Sequence, residues 1–440
     1  MSETVNDLAK APTDAEHRKK AKKATGVAVF GTFIEYYDFS VYGYVAATLA
    51  VVFFPSDDPT VGLLNTLLVF GSGFVVRPLG AVFFGSLGDR VGRRASLMAS
   101  IGLMTLAAAL TGFLPGYPQI GVAAPILLVL LRMLQGFSTG GEIGGATSYV
   151  HEWAPPHRRP LYISFIPSFS GLGKGSAAGM AALAATLLPP ETMESWGWRI
   201  PFLLAVPLGI ACLLLRMRIE DSPEFAASRQ AGGTERKPFQ ALLSHHRPQL
   251  IKVVVIATAQ NIAAYVGTVY VAVYLSSVLG FSSGQAASIV LIAVLTSCLL
   301  IPVVGRVGSR YGGKRVLITC YCVYSIVTVP CFLLMGQNSI GLAILGLTIM
   351  AVPYAISMAG TFAVMPELFP VRVRHTGIAF GHSVGAMIGG GAGPYLTALL
   401  ITKTGSDLVP AYIIVSFAVL ALAVLVGTIR TNTSDGHIYT

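Results

Sequence analysis

Twelve mostly apolar runs of about 20 residues or more follow one another along this chain, each long enough to cross a ~30 Å hydrocarbon layer as a helix. They fall near 26–53, 61–86, 95–115, 122–149, 160–188 and 200–219, then near 251–279, 285–307, 316–336, 339–366, 374–402 and 408–430. In lipid the backbone must satisfy its own hydrogen bonds, so each run is expected to be helical. Only 11% of residues are charged and the mean hydropathy is +0.69, against roughly 25% charged residues in a soluble domain. These values describe an all-α integral membrane protein with twelve transmembrane helices in two six-helix bundles.

The positive charge has a direction. Of the 30 Lys and Arg residues, 25 fall on the side that carries both termini and the even-to-odd loops. Arg199 and Lys403 lie opposite, and Arg77, Arg132 and Lys174 lie within spans. Such asymmetry places the basic side in the cytoplasm of a plasma (inner) membrane protein. It also accounts for the net charge of +10 without nucleic acid, since no aromatic-interleaved basic face is present. The expected organisation is a basic tail over 1–23, a bundle over 24–219, a cytoplasmic linker over 220–250, a bundle over 251–430 and a tail over 431–440. No small-residue cleavage pattern follows the first basic stretch, so the first apolar run is expected to remain as a span. The basic tails and loops make membrane lipid an expected partner.

An internal repeat supports the two halves. Gly85-Ser-Leu-Gly-Asp89-Arg90-Val-Gly92-Arg93-Arg94 recurs, degraded, as Gly305-Arg-Val-Gly-Ser309-Arg310-Tyr-Gly312-Gly-Lys314-Arg315, 220 positions later in a chain of 440. One tight basic loop per half, between apolar runs, is the layout of a two-bundle transporter.

Six ionisable residues stand where lipid would penalise them: Glu35, Asp38, Arg77, Arg132, Glu142 and Lys174. Each cation near the bilayer centre costs about 2.5–3.5 kcal/mol on insertion scales, so such residues are kept for pairing or function. All six lie in the first half; the second half offers polar groups such as Gln260, Asn261, Tyr265 and His382. At 3.6 residues per turn, Glu35, Asp38 and Tyr42 fall within about 60° on span 1, and Arg132, Gln135, Thr139 and Glu142 within about 80° on span 4. An acid stripe facing a base stripe is a plausible proton site, in which Arg132 acts only as the partner because guanidinium does not deprotonate. Lys174 sits mid-span among the small residues of Gly171-Leu-Gly-Lys-Gly-Ser-Ala-Ala-Gly179, where a helix or a substrate can approach closely. The five cysteines lie in apolar segments and read as small fillers. No zinc-ligand spacing and no Ser/His/Asp arrangement is present, so neither a metal site nor an enzyme is expected.

Several of these segments resemble the major facilitator superfamily. The Gly85–Arg94 loop is similar to its signature between spans 2 and 3, and Arg132-Met-Leu-Gln135-Gly136 to its span-4 basic motif. Glu35-Tyr-Tyr-Asp38-Phe39, Arg77-Pro78-Leu-Gly80, Trp196-Gly-Trp198-Arg199 and Pro366-Glu367-Leu-Phe-Pro370-x-Arg372-x-Arg374 more narrowly resemble the metabolite:proton symporter family. That family includes proline/glycine-betaine and α-ketoglutarate permeases. The resemblance implies alternating access around a cavity lined by spans 1, 2, 4, 5, 7, 8, 10 and 11. It implies no cofactor, the proton as coupling ion, and a functional monomer. It implies a cytoplasmic latch at Gly85, Asp89, Arg90, Gly92, Arg93 and Arg310, weaker in the second copy because Ser309 replaces the usual acid.

The expected activity is proton-coupled import of a small carboxylate-bearing solute, an organic acid or a zwitterion such as proline or betaine. Asp38, Glu35, Arg132 and Glu142 are the candidate proton-coupling residues. Arg77, Lys174, Gln135, Tyr42, Asn261, Tyr265 and Thr268 are the candidate substrate contacts, the last three sharing one face of span 7. The alternative is a proton-coupled efflux antiporter of small organic compounds, disfavoured because span 5 lacks the Gly-Pro-rich motif usual in drug antiporters.

Overall fold

The protein, described here from a computed structural model, is placed over residues 14–55, 59–231, 235–428, 430–431 and 438–439. Part of the expected tail over 1–23 and most of that over 431–440 lie outside the described residues. Twelve long helices follow in order: α1 Asp14–Tyr44, α2 Pro59–Arg90, α3 Arg93–Gly112, α4 Ala123–Trp153, α5 Arg159–Leu187 and α6 Arg199–Met217. Then come α7 Arg247–Ala264, α8 Ser283–Tyr311, α9 Gly313–Met335, α10 Ile340–Val364, α11 Arg374–Ala386 and α12 Val409–Thr428. The first span breaks at Val45 and resumes as Ala46–Phe53. A two-residue antiparallel pairing of Arg430–Thr431 with Ile438–Tyr439 follows α12.

Among the described residues, ten helices are long and apolar enough to cross a membrane. The two remaining spans are α1 and α5, which carry Glu35 with Asp38, and Lys174. Their polarity is tolerable because these side chains are turned into protein or cavity rather than lipid. α1 begins well before the apolar run, because the Ala- and Lys-rich segment ahead of it also favours helix. The linker over 220–250 contains two short helices. Ser222 accepts a hydrogen bond from the Phe225 N–H (3.2 Å) and caps a short helix, Pro223–Gln230. A second short helix spans Pro238–His245.

The packing repeats with a period of six helices. The pairs α1–α5, α2–α4, α3–α4, α3–α6 and α1–α6 recur as α7–α11, α8–α10, α9–α10, α9–α12 and α7–α12. Between the halves, α2 packs on α11 and, by the same symmetry, α8 on α5. These two contacts are made by the repeated loop. Gly85 lies against the Thr376 backbone and Gly305 against Ser164 and the Pro160 carbonyl, each with no room for a Cβ. Away from the basic face, α7 widens into π-helical turns at Tyr265–Tyr270 and Tyr274–Val278, and α11 at Met387–Ala392 before resuming as Gly393–Thr404.

The closest approach within the first bundle is α2 against α4. A Cβ on Gly136 would strike the Gly73 backbone, and one on Gly140 the Arg77 carbonyl and Ala81 amide. Small residues let two backbones meet in a membrane, where dispersion rather than hydrophobic burial drives association. This contact fixes the heights of Arg77 and Arg132, one on each helix. Gly140→Val is expected to lower the melting temperature of the detergent-purified protein, because overpacking a tight contact costs about 1–3 kcal/mol. An unchanged melting temperature would show that the two helices separate at no cost.

Candidate functional site

Two helices build a buried polar chain in the first bundle. α1 supplies Asp38, 1% exposed, and α4 supplies Gln135 and Arg132, each 1% exposed. The Gln135 amide donates to Asp38 Oδ2 (2.9 Å) and its Oε1 accepts from Arg132 Nη1 (3.0 Å). Arg132 Nη2 donates to the Phe39 carbonyl (3.0 Å), and its guanidinium lies over the rings of Phe39 (3.8 Å), Tyr42 (4.8 Å) and Phe70 (4.9 Å). Acid and base thus communicate through an amide, while Asp38 Oδ1 and Arg132 Nε have no hydrogen-bond partner. Tyr42 serves as the floor under Arg132, its hydroxyl donating to the Thr66 carbonyl (3.2 Å). Tyr42 and Gln135 therefore support this chain and do not line the cavity described below.

The facing stripes of spans 1 and 4 hold for Asp38 and Arg132 but not for Glu142. Glu142 forms a buried ion pair with Arg216 at the end of α6 and accepts from Ser100 Oγ of α3 (2.8 Å). The charge count takes Arg216, near the end of the sixth apolar run, with the basic side; the structure buries it completely, against Gly31, where a Cβ would occupy the guanidinium's place. Glu142 is thus the partner of a cation that the sequence pattern hid. Glu35, fully buried, has no hydrogen bond to either carboxylate oxygen. Arg77 lies over Phe39 (4.4 Å) and Phe74 (4.8 Å), its Nε and Nη2 unbonded, and does not line the cavity either. In the second half, Lys252 near the basic end of α7 is a largely buried charge that the span reading overlooked.

Between the bundles lies a small polar cavity. α1 gives it Tyr36; α5 gives Ser170 and Lys174; α7 gives Gln260, Asn261 and Tyr265. α10 adds Met358 and Phe362, and α11 adds His382. The Lys174 ammonium stands 5.0 Å from the Tyr36 ring and 5.4 Å from the Tyr265 ring, within cation–π range. Tyr265 also meets Phe74 edge-on across the bundle interface, centroids 5.6 Å apart. Asn261, Tyr265 and Lys174 are therefore brought together as the sequence suggests, but Thr268 is not. It lines a separate cavity inside the second bundle, with Gly267, Ser297 and Tyr354. The π-helical turns at 265–270 add a residue per turn and rotate Thr268 off the face that a regular helix would give it.

The basic face is closed. Asp89 receives the backbone N–H of His375 (3.2 Å) and Thr376 (2.8 Å) and the Thr376 hydroxyl (2.7 Å), so a carboxylate from α2 caps the N-terminus of α11. Arg93 donates to Asp89 (2.7 Å), to Glu152 through Nε and Nη2 (3.2 and 2.9 Å), and to the Val371 carbonyl (2.8 Å). Arg374 of α11 reaches Glu152 (3.1 Å) and Glu224 of the first linker helix (2.7 Å), and Arg159 also pairs with Glu224. Ser222, the cap of that helix, hydrogen-bonds Glu152. The second repeat makes the neutral version: Ser309 Oγ accepts from the Leu161 N–H at the start of α5 (3.1 Å). Of the expected latch residues, Gly85, Asp89 and Arg93 lie at this junction. Gly92 packs on the Asp221 carboxylate with φ 136°, whereas Arg90 and Arg310 are exposed. Glu152, Glu224 and Arg374 were not read as site residues. Glu224 and Arg374 lie in the 220–250 linker and the Arg372-x-Arg374 motif, but the partners of these three residues are 59 to 222 positions away.

The sequence matches the description "Sugar (and other) transporter" over residues 24–237 and "Major Facilitator Superfamily" over 254–436. The chain is 37% identical to an ectoine/proline transporter of Corynebacterium glutamicum over 95% of its own length and 85% of the relative's. It is 33% identical to the shikimate transporter of Escherichia coli, covering 87% and 88% of the two chains. This chain is a transporter of the major facilitator superfamily. The proton:xylose symporter XylE bound to 6-bromo-6-deoxy-D-glucose has the same fold, with a TM-score of 0.80 at 16% identity over 94% of this chain and 96% of that one. The relatives and the fold are those of multi-pass membrane transporters, not enzymes.

Within this superfamily member, Glu142 and Arg216 should behave as a structural pair. Glu142→Gln alone is expected to cost about 3–5 kcal/mol by leaving a buried guanidinium unpaired. Glu142→Gln combined with Arg216→Met should cost clearly less than the sum of the two single changes, read by thermal unfolding. Strict additivity would remove the pairing argument. At the basic face, Ser309→Asp should strengthen the weaker junction by supplying a carboxylate to the α5 N-terminus. Spin-label distances between α5 and α8 at this face should then sharpen towards the short population, and Asp89→Asn should broaden those between α2 and α11. Unchanged distributions in both variants would separate these caps from the closed state.

Proposed function

We propose that this transporter imports a small carboxylate-bearing metabolite by proton symport and alternating access, working as a monomer in the plasma membrane with its basic face and both termini in the cytoplasm. The observation that carries this reading is the Asp38–Gln135–Arg132 chain, with one carboxylate oxygen open, in the bundle that borders the cavity. A carboxylate held at one remove from a fixed cation can take a proton without breaking the helix pair, since Arg132 keeps its contacts to Phe39. Protonation removes a buried negative charge, and moving such a charge through an apolar interface is costly. Reorientation with Asp38 protonated is therefore favoured over reorientation with it ionised. Relatives named for ectoine, proline, betaine and shikimate have solutes with a carboxylate in common, which supports that group as the shared determinant. Glu35, buried and unbonded beside the cavity residue Tyr36, is the second candidate carrier of a proton.

The test is uptake into proteoliposomes under an inward proton gradient, with proline, glycine betaine and shikimate as labelled solutes. Asp38→Asn is expected to abolish uphill accumulation while retaining exchange of external for internal solute. Full uphill accumulation by Asp38→Asn would remove the proton assignment.

A further inference from the structure

The cavity holds a basic side chain that makes no ion pair among the described residues. Among the described residues, Lys174 is the only Lys, Arg, Asp or Glu that lines it. In the spans around it, Asp38 is tied to Arg132 through Gln135, and Glu142 to Arg216. That leaves Arg77, Lys174 and Glu35 without an ion-pair partner among the described residues, two cations against one acid. A positive balance persists whether or not Glu35 holds a proton. The ammonium of Lys174 also occupies the positions over Tyr36 and Tyr265 at which a ligand cation would be held.

We propose that the cavity selects a net-anionic hydroxylated monocarboxylate, with Lys174 as the carboxylate contact, and discriminates against zwitterions with an ammonium group. This rests on the central cavity being the transport site. A zwitterion would bring its cation into a site that has one already and offers no carboxylate in return. A monoanion neutralises Lys174, and charge-assisted hydrogen bonds of that kind are the stronger ones. The wall opposite Lys174 is polar and neutral. Gln260 Nε2 donates only to the Met358 sulfur (3.4 Å), a weak acceptor that a ligand hydroxyl would improve on. Asn261 donates to Gln260 Oε1 (3.2 Å) and the Ala257 carbonyl (2.8 Å), and the His382 ring faces Phe362. A carboxylate at α5 and hydroxyls at α7 and α11 would bridge the two bundles, so one ligand of this chemistry engages both moving halves. Co-transport of one proton with such an anion moves no net charge.

Binding separates this proposal from the transport reading, because it needs neither a gradient nor turnover. The full-length protein in lipid nanodiscs would be titrated with shikimate, lactate and glycerate, and with proline and glycine betaine, by calorimetry at constant pH. At least one of the hydroxy acids is expected to bind about 10- to 100-fold more tightly than either zwitterion. Lys174→Met should erase that ratio, and Lys174→Arg should restore most of it, an outcome that a merely structural lysine would not give. A ratio near one, a preference for the zwitterions, no binding of any hydroxy acid, or a ratio unchanged in Lys174→Met would each overturn the proposal. Proton-driven uptake of glycine betaine by a protein that fails to bind the hydroxy acids would sink the anion selectivity and leave symport standing. Lysine-dependent anion binding without any proton-driven uptake would do the reverse.

Discussion

The fully buried guanidinium of Arg93 holds the two halves of this transporter together. It satisfies Asp89 and Glu152 at once and reaches across to the Val371 carbonyl of the second half. Glu152 then takes Arg374 and the Ser222 cap of the linker helix, so the α2–α3 turn, α4, α11 and the linker meet at one carboxylate. Such a cluster contributes less to stability than its number of contacts suggests, since desolvating several charges opposes their attraction. Its value is positional: a network that is fully satisfied in one arrangement and broken in another makes a two-state element rather than a soft one. The cavity is closed on this side because the network is made.

The duplicated loop shows how one device is set at two strengths. In both copies a glycine admits a helix of the other half, and a side chain four positions on caps that helix's N-terminus. Asp89 supplies a charge and three acceptor contacts; Ser309 supplies one neutral contact. A carboxylate interacts with the helix dipole as well as with the N–H groups, whereas a hydroxyl gives the hydrogen bond alone. The α2–α11 seam is thus the firmer one, which fits the clustering of Arg93, Glu152 and Arg374 on that side.

Inside the membrane, charge is sorted by task. Glu142 and Arg216 compensate each other next to Gly31, whose missing side chain makes room for the guanidinium. Asp38 and Arg132 are held apart by Gln135, close enough to influence each other and separate enough for the acid to change state. Lys174 is left to the cavity. The same residue types at similar spacings therefore do three different things, decided by which helix each one faces.

Much of this was legible in the sequence because the membrane simplifies the problem. Apolar run length set the number of helices, basic residues marked one face, and the period of the Gly85 and Gly305 loops announced the two halves. Helical spacing alone put Asp38 opposite Arg132, and Asn261 with Tyr265 towards a common cavity. Tertiary structure decided the rest, because a partner on a distant helix leaves no local trace. Arg216 counted with the basic side of the chain, and nothing near it in sequence showed that its guanidinium reaches Glu142 of α4. Thr268 lost its face to π-helical turns that no hydrophobic period encodes. Arg374 found Glu152 222 positions away. Sequence by itself determined how many helices there are and which face is basic, since hydrocarbon thickness and charge transfer act on each segment separately. Only the packed structure determined which charges pair and which remain for a ligand, since that depends on distances between segments the chain connects last.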